Sequence, residues 1–134
     1  MIKVILAFDY GEKRIGVAVG QTLTQTARAV ETLTTINKKI DWDSITTLVK
    51  RWRPDLFVVG NPTLKSGRVH ALKAEIIKFS RKLAGRHNIP VEFIDERLSS
   101  RAALNYAEEV KRAGLDAVAA KLILETWLQE RSVK

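Results

Sequence analysis

The run Val4-Ile5-Leu6-Ala7-Phe8-Asp9-Tyr10-Gly11-Glu12-Lys13-Arg14-Ile15-Gly16-Val17-Ala18-Val19-Gly20 decides the architecture of this chain. Its first five residues are continuously apolar, as in a strand covered on both faces. Asp9 closes that strand. From Arg14 to Gly20, Ile15, Val17 and Val19 alternate with Gly16, Ala18 and Gly20, which reads as a second strand. Only the short stretch Glu12-Lys13 separates the two, so they form an antiparallel hairpin. A carboxylate closing a buried apolar strand is costly unless a cation or several donors satisfy it. Asp9 is therefore the first candidate for chemistry.

Beyond the hairpin, Ala29 to Leu33 supplies a third strand. Ile45, Leu48, Val49 and Trp52 share one helical face, and Pro54 stops that helix. Leu56 to Gly60 is another buried strand. A polar loop, Asn61 to Gly67, then leads into a helix with Leu72, Ile76, Phe79 and Leu83 on one stripe and its basic residues mostly outside it. Val91 to Asp95 forms the last strand. Ser99 caps a helix running toward Arg112, Gly114 ends it, and a final helix from about Asp116 carries Ala120, Leu124, Trp127 and Leu128. The order β-β-β-α-β-α-β-α-α predicts an α/β fold with a mixed five-stranded sheet. An antiparallel three-strand meander is joined by parallel strands, the first strand lies centrally, and helices cover both faces. At 134 residues the chain has room for one domain, taken as 1–134.

Hydrophobic residues make up 46% and charged residues 28%, the balance of a soluble globular protein. No apolar run approaches the length that crosses a bilayer. The apolar stretch after Met1-Ile2-Lys3 breaks at Asp9 without a small-residue cleavage site, so it is a strand and not a signal peptide. There are no cysteines, which removes disulfides, thiolate zinc sites and cysteine nucleophiles and fits a cytoplasmic protein. The net charge is +8, and it is concentrated between residues 65 and 86, where seven Lys/Arg (among them Lys65, Arg68, Lys78 and Lys82) face Glu75 alone. Such a field favours a polyanion, nucleic acid first, because neutralised phosphates release counterions. A solvated lysine-rich face that confers solubility is the plainer explanation of the same residues.

Three carboxylates stand where chemistry is expected. Asp9 ends the central strand, Glu96 follows the last strand, and Asp116 opens the C-terminal helix. The carboxyl ends of adjacent parallel strands form the edge at which open α/β sheets bind ligands. Oxygen-only ligation suits Mg²⁺ or Mn²⁺, and two such ions about 3.5–4 Å apart can drive an in-line phosphoryl displacement. Each acid also has an ordinary role: Asp116 as a first-turn acid, Glu96 as a partner of Arg97 or Arg101. Asp95 points opposite to Glu96 by strand alternation and is structural. His70 and His87 fall in polar, exposed segments with no partner arrangement for catalysis. Trp42, Trp52 and Trp127 follow helical patterns and pack as helix cover.

Taken together, Phe8-Asp9-Tyr10-Gly11 through Ala18, Val59-Gly60-Asn61-Pro62 with Gly67, Asp95-Glu96-Arg97-Leu98-Ser99-Ser100, and Asp116-Ala117-Val118-Ala119-Ala120 with Ile123-Leu124-Glu125 resemble the ordered motifs of the YqgF/RuvX family. Members are described as Holliday junction resolvases and as pre-16S rRNA nucleases. The resemblance runs the length of the chain and implies a ribonuclease H-like fold, with Asp9, Glu96 and Asp116 as the acids that bind two Mg²⁺ or Mn²⁺ ions. It also implies that Gly11 permits close backbone approach and that Lys13, Arg14 and Arg97 contact phosphate. Lys65 and Arg68 join the nucleic-acid-binding set through the basic segment. Two departures stand out. The acid usual in the loop Asn61 to Gly67 is absent and a lysine, Lys65, has entered it, and the connection from Val110 to Asp116 is short.

The expected activity is a two-metal hydrolysis of structured RNA, at the 5′ end of pre-16S rRNA, leaving a 5′-phosphate and a 3′-hydroxyl. A four-way DNA junction is the alternative substrate. It would favour a dimer, whereas the sequence presents no obvious dimer face, so a monomer or weak homodimer is expected, without a membrane partner. An actin-like ATPase needs two domains to clamp its nucleotide, which a chain of this length lacks. A non-catalytic ribosome- or nucleic-acid-binding module is the remaining class, and the presence of all three acids argues against it.

Overall fold

The computed structural model describes residues 2–37, 39–61, 67–95 and 107–132, with the side chains of 67–71, 95 and 132 set aside. Strands β1 (Val4–Tyr10), β2 (Arg14–Gln21) and β3 (Thr26–Thr34) are followed by α1 (Trp42–Trp52), β4 (Leu56–Asn61), α2 (Gly67–His87), β5 (Val91–Asp95), α3 (Ala107–Ala113) and α4 (Leu115–Ser132). The sheet order is β3-β2-β1-β4-β5. β1 pairs antiparallel with β2, and β2 with β3, while β4 runs parallel to both β1 and β5. The expected mixed sheet with a central first strand is the one found.

Alternation along the strands sends side chains to two unlike cores. On one face Leu6, Phe8, Ile15, Val17, Phe57 and Val59 pack against Ile45 and Leu48 of α1 and Ile76, Phe79 and Leu83 of α2. Phe8 meets both Phe57 and Phe79 edge-on, at ring-centroid distances of 5.8 and 5.6 Å, a favoured geometry for aromatic quadrupoles. On the other face Ile5, Ala7, Ala18, Val58 and Ile94 pack against Ala120, Ile123, Leu124, Trp127 and Leu128 of α4. The Trp127 indole N–H donates to Glu92 on β5 (3.0 Å), tying the far end of α4 to the sheet edge.

Local signals account for the helix ends. Asp41 caps α1 by accepting from the Ser44 N–H, and Arg53 closes it in the left-handed region, donating to the Val49 carbonyl just before Pro54. Gly114, at φ +96°, separates α3 from α4, a conformation that glycine takes at little cost. The strand expected at Ala29–Leu33 is longer than its alternation suggests. The register shifts between Val17 and Ala18, whose partners on β3 are Glu31 and Ala29. The extra residue, Val30, is a bulge that interrupts the period of two. His87, expected in an exposed segment, is half-buried, with its ring 5.9 Å from that of Phe57. Its position at the end of the apolar stripe of α2 explains the difference.

Candidate active site at the strand ends

Asp9 lies one residue from the end of β1, on the parity of Ile5 and Ala7 and hence on the α4 face. Across the hairpin it pairs with Gly16. A Cβ built on Gly16 would stand 1.8 Å from the Asp116 carbonyl oxygen and 2.6 Å from the Ala117 nitrogen. The first turn of α4 therefore rests directly on the backbone of β2, beside Asp9. No side chain fits between them. Farther along the same face, a Cβ on Gly20 would meet Leu124 Cδ2 at 2.7 Å. The Gly16-Ala18-Gly20 alternation is thus a groove for a helix, and it seats the Asp116 backbone on the strand partner of Asp9 although 107 positions separate the two acids.

A second device holds the helix start in place. Thr32 is the β3 partner of Gly16. Its hydroxyl donates to the Ala113 carbonyl (2.8 Å) and accepts from the Ala117 N–H (3.2 Å). These bonds satisfy backbone groups that the break at Gly114 would otherwise leave open. The bulge at Val30 is what puts Ala29 and Thr32 on one face. Glu109 braces α3 from the side: its carboxylate bonds to Lys121 of α4 and accepts from the Ala29 N–H (3.4 Å). Burial works to raise the Glu109 carboxyl, but those two bonds, with Arg112 close by, outweigh it and hold it below the ordinary value. Neither Thr32 nor Gly16 announces a functional role in the sequence. The run of small residues along one strand face was the available signal.

Arg14, at the start of β2, donates Nε–H to Asp116 Oδ2 at 2.9 Å, with the arginine side chain 60% exposed and the aspartate 31%. Lys13 is exposed on the hairpin, whose tip is pinned because Thr35 donates its N–H to the Lys13 carbonyl (2.9 Å) and its hydroxyl to the Glu12 carbonyl (2.8 Å). Gly11 makes its close approach within the hairpin itself, where a Cβ would lie 2.8 Å from the Arg14 carbonyl oxygen. Glu96, Arg97 and Lys65 lie outside the described residues, as does the side chain of Arg68, whose backbone is in the first turn of α2. β5 leads to Glu96 through Ile94, which faces α4, and Asp95, paired with Asn61 at the same strand edge as Asp9. Among the described residues no three Asp, Glu or His side chains form a metal cluster. Asp9 and Asp116 offer hard carboxylate oxygens only, which is the donor chemistry that fits Mg²⁺ or Mn²⁺.

Residues 3–130 match the family model RuvX, described as Holliday junction resolvase. A protein of Azotobacter vinelandii named "Putative pre-16S rRNA nuclease" is 42% identical over 96% of this chain and 95% of its own length. One of Saccharophagus degradans with the same name is 41% identical over 94% and 93%. Among solved structures, T. thermophilus RuvC in complex with Holliday junction substrate matches with a TM-score of 0.61 at 17% identity, over 97% of this chain and 96% of that one. Fowlpox virus resolvase in complex with substrate Holliday junction DNA matches at 0.59 and 17%, over 100% of both chains. The fold is that of these resolvases, the ribonuclease H-like fold.

Proposed function

This chain belongs to the RuvX family, and from that premise we propose that it is a nuclease that cuts phosphodiester bonds in structured nucleic acid, its substrate the 5′ end of pre-16S rRNA. The observation that carries the reading is the seating of Asp116 on Gly16, the cross-strand partner of Asp9. It supports two acids acting as one site at the carboxyl edge of β1.

Asp9 and Asp116 would hold the divalent metal, with Glu96 as the third acid beyond the end of β5. When bound, such ions supply Lewis-acid stabilisation of the charge that develops on a phosphodiester under attack. The chain's own part is placement. Arg14 keeps the Asp116 carboxylate oriented and offsets its charge, and its remaining guanidinium N–H groups have the fork geometry that suits a phosphate. Lys13, exposed one residue earlier, adds a second cation on the same rigid hairpin.

RNA is preferred over a DNA junction because the relatives above 40% identity, aligned over more than nine-tenths of this chain, carry the rRNA name. The family description favours the junction as the second reading. A direct comparison tests both: a pre-16S 5′ fragment and a mobile four-way junction, each incubated with protein and Mg²⁺ or Mn²⁺. Cleavage of the RNA alone is expected. Asp9→Asn should lose that cleavage while keeping its circular dichroism spectrum and its RNA affinity. If neither substrate is cut with either metal, or if Asp9→Asn cuts normally, the assignment fails.

A further inference from the structure

One basic feature is unused by the acids. On the α1/α2 face, where Tyr10 ends β1, a groove of about 440 Å³ opens between α2 and the segment leading into α1. Lys39 stands on one side and Lys78, Lys82 and Arg86 on the other, all exposed, with Glu75 the single acid of the lining. Lys78, Lys82 and Arg86 recur every four residues, so they form a ladder along one helix face with a step of about 6 Å. That step is comparable to the separation of successive phosphates along a single polynucleotide strand.

The groove floor is already packed. Tyr10 and Trp42 lie against Phe79 at centroid distances of 5.1 and 5.6 Å, and the Arg86 guanidinium sits over the Trp42 ring at 4.5 Å. Much of the aromatic surface is therefore spent on the protein itself, while Arg86 is held by its cation–π contact. Asp9 and Tyr10 are consecutive, so the groove and the acids meet at one strand end on opposite faces of the sheet. We infer that this groove is a sequence-neutral binding track for the phosphate backbone of a single-stranded segment of nucleic acid. The inference takes nucleic acid from the proposed function but does not depend on the acids.

The test is fluorescence anisotropy of a uridine 20-mer RNA in EDTA, so that binding is read without cleavage. Lys78→Gln with Lys82→Gln is set against a control pair of equal charge change, Lys50→Gln with Lys111→Gln, both exposed and outside the groove. The groove pair should weaken binding about tenfold at roughly 0.1 M salt and lower the slope of log K against log salt by about 1.4, two contacts at about 0.7 each. The control pair should change neither by more than about a third as much. Equal effects of the two pairs, an unchanged slope, or a polyglutamate 20-mer that competes as well as unlabelled RNA would each overturn the track. A protein that binds through the groove yet cuts nothing keeps this inference and sinks the nuclease. A protein that cuts RNA while the groove pair binds like wild type does the reverse.

Discussion

The two faces of the sheet are packed on different principles. The α1/α2 face is filled by Phe8, Phe57, Phe79, Leu6 and Ile15, large side chains that share the contact among many partners. The α4 face also holds Ile5, Val58 and Ile94, but along β2 it presents Gly16, Ala18 and Gly20, so that at Gly16 helix backbone meets strand backbone. The first arrangement is forgiving, because neighbouring side chains take up a small change of volume. The second is not. It sets the position of a helix terminus with nothing adjustable in between, and it occurs on the side that carries Asp9 and Asp116.

Two consecutive residues of β2 make the sharpest test, since Ile15 faces one core and Gly16 the other. Gly16→Ala adds a methyl 1.8 Å from a backbone oxygen. Chemical denaturation should show a loss of about 3 kcal/mol, at the upper end of overpacking costs, and cleavage should fall with it. Ile15→Val removes a methylene from the tolerant face and should cost about 1 kcal/mol with cleavage retained. Equal costs at the two positions would break the contrast. The next effect is at Thr32. Thr32→Val keeps the shape but deletes the hydroxyl that bridges Ala113 and Ala117, and should cost about 1–2 kcal/mol. Amide shifts in NMR should change chiefly around residues 113–118; changes spread over α1 and α2 instead would count against a local role.

The smallest effect is one of pH. The folded Glu109 carboxyl lies below its ordinary value of 4.5, so the unfolded chain takes up this proton first. Its stabilising bonds to Lys121 and the Ala29 N–H are complete above about pH 4.5 and are lost as pH falls through the folded pKa. Glu109→Gln should flatten the acid limb of a stability–pH profile by less than about 1 kcal/mol. An unchanged acid limb would mean that α3 is braced by packing alone.

Much of this was legible in the sequence because it is local. The buried run ending at Asp9, the hairpin, the stripe of α2 and the turn at Gly114 each follow from spacing or backbone preference within a few residues. What escaped was set at a distance. A bulge at Val30 hides the true length of β3, because one inserted residue breaks the alternation by which strands are recognised. His87 reads as polar, yet the stripe it continues carries it onto Phe57. Gly16 and Thr32 look unremarkable, because what makes them matter is a helix about a hundred residues away. Asp9 could be named from its strand end and Asp116 from its helix start, but not the contacts that place Asp116.

Gly16 and Asp116 also answer to different demands over a lineage's history. The glycine is required by shape alone, whatever the protein does. On the function proposed above, the carboxylate at 116 is required only while there is something to cut. A descendant relieved of cleavage could change Asp116 to many residues at little structural cost, since its side chain projects toward solvent and Arg14. It could not put a methyl on Gly16 without moving α4. In such a descendant the glycine would outlast the acid, and its persistence would mark where a site had once been.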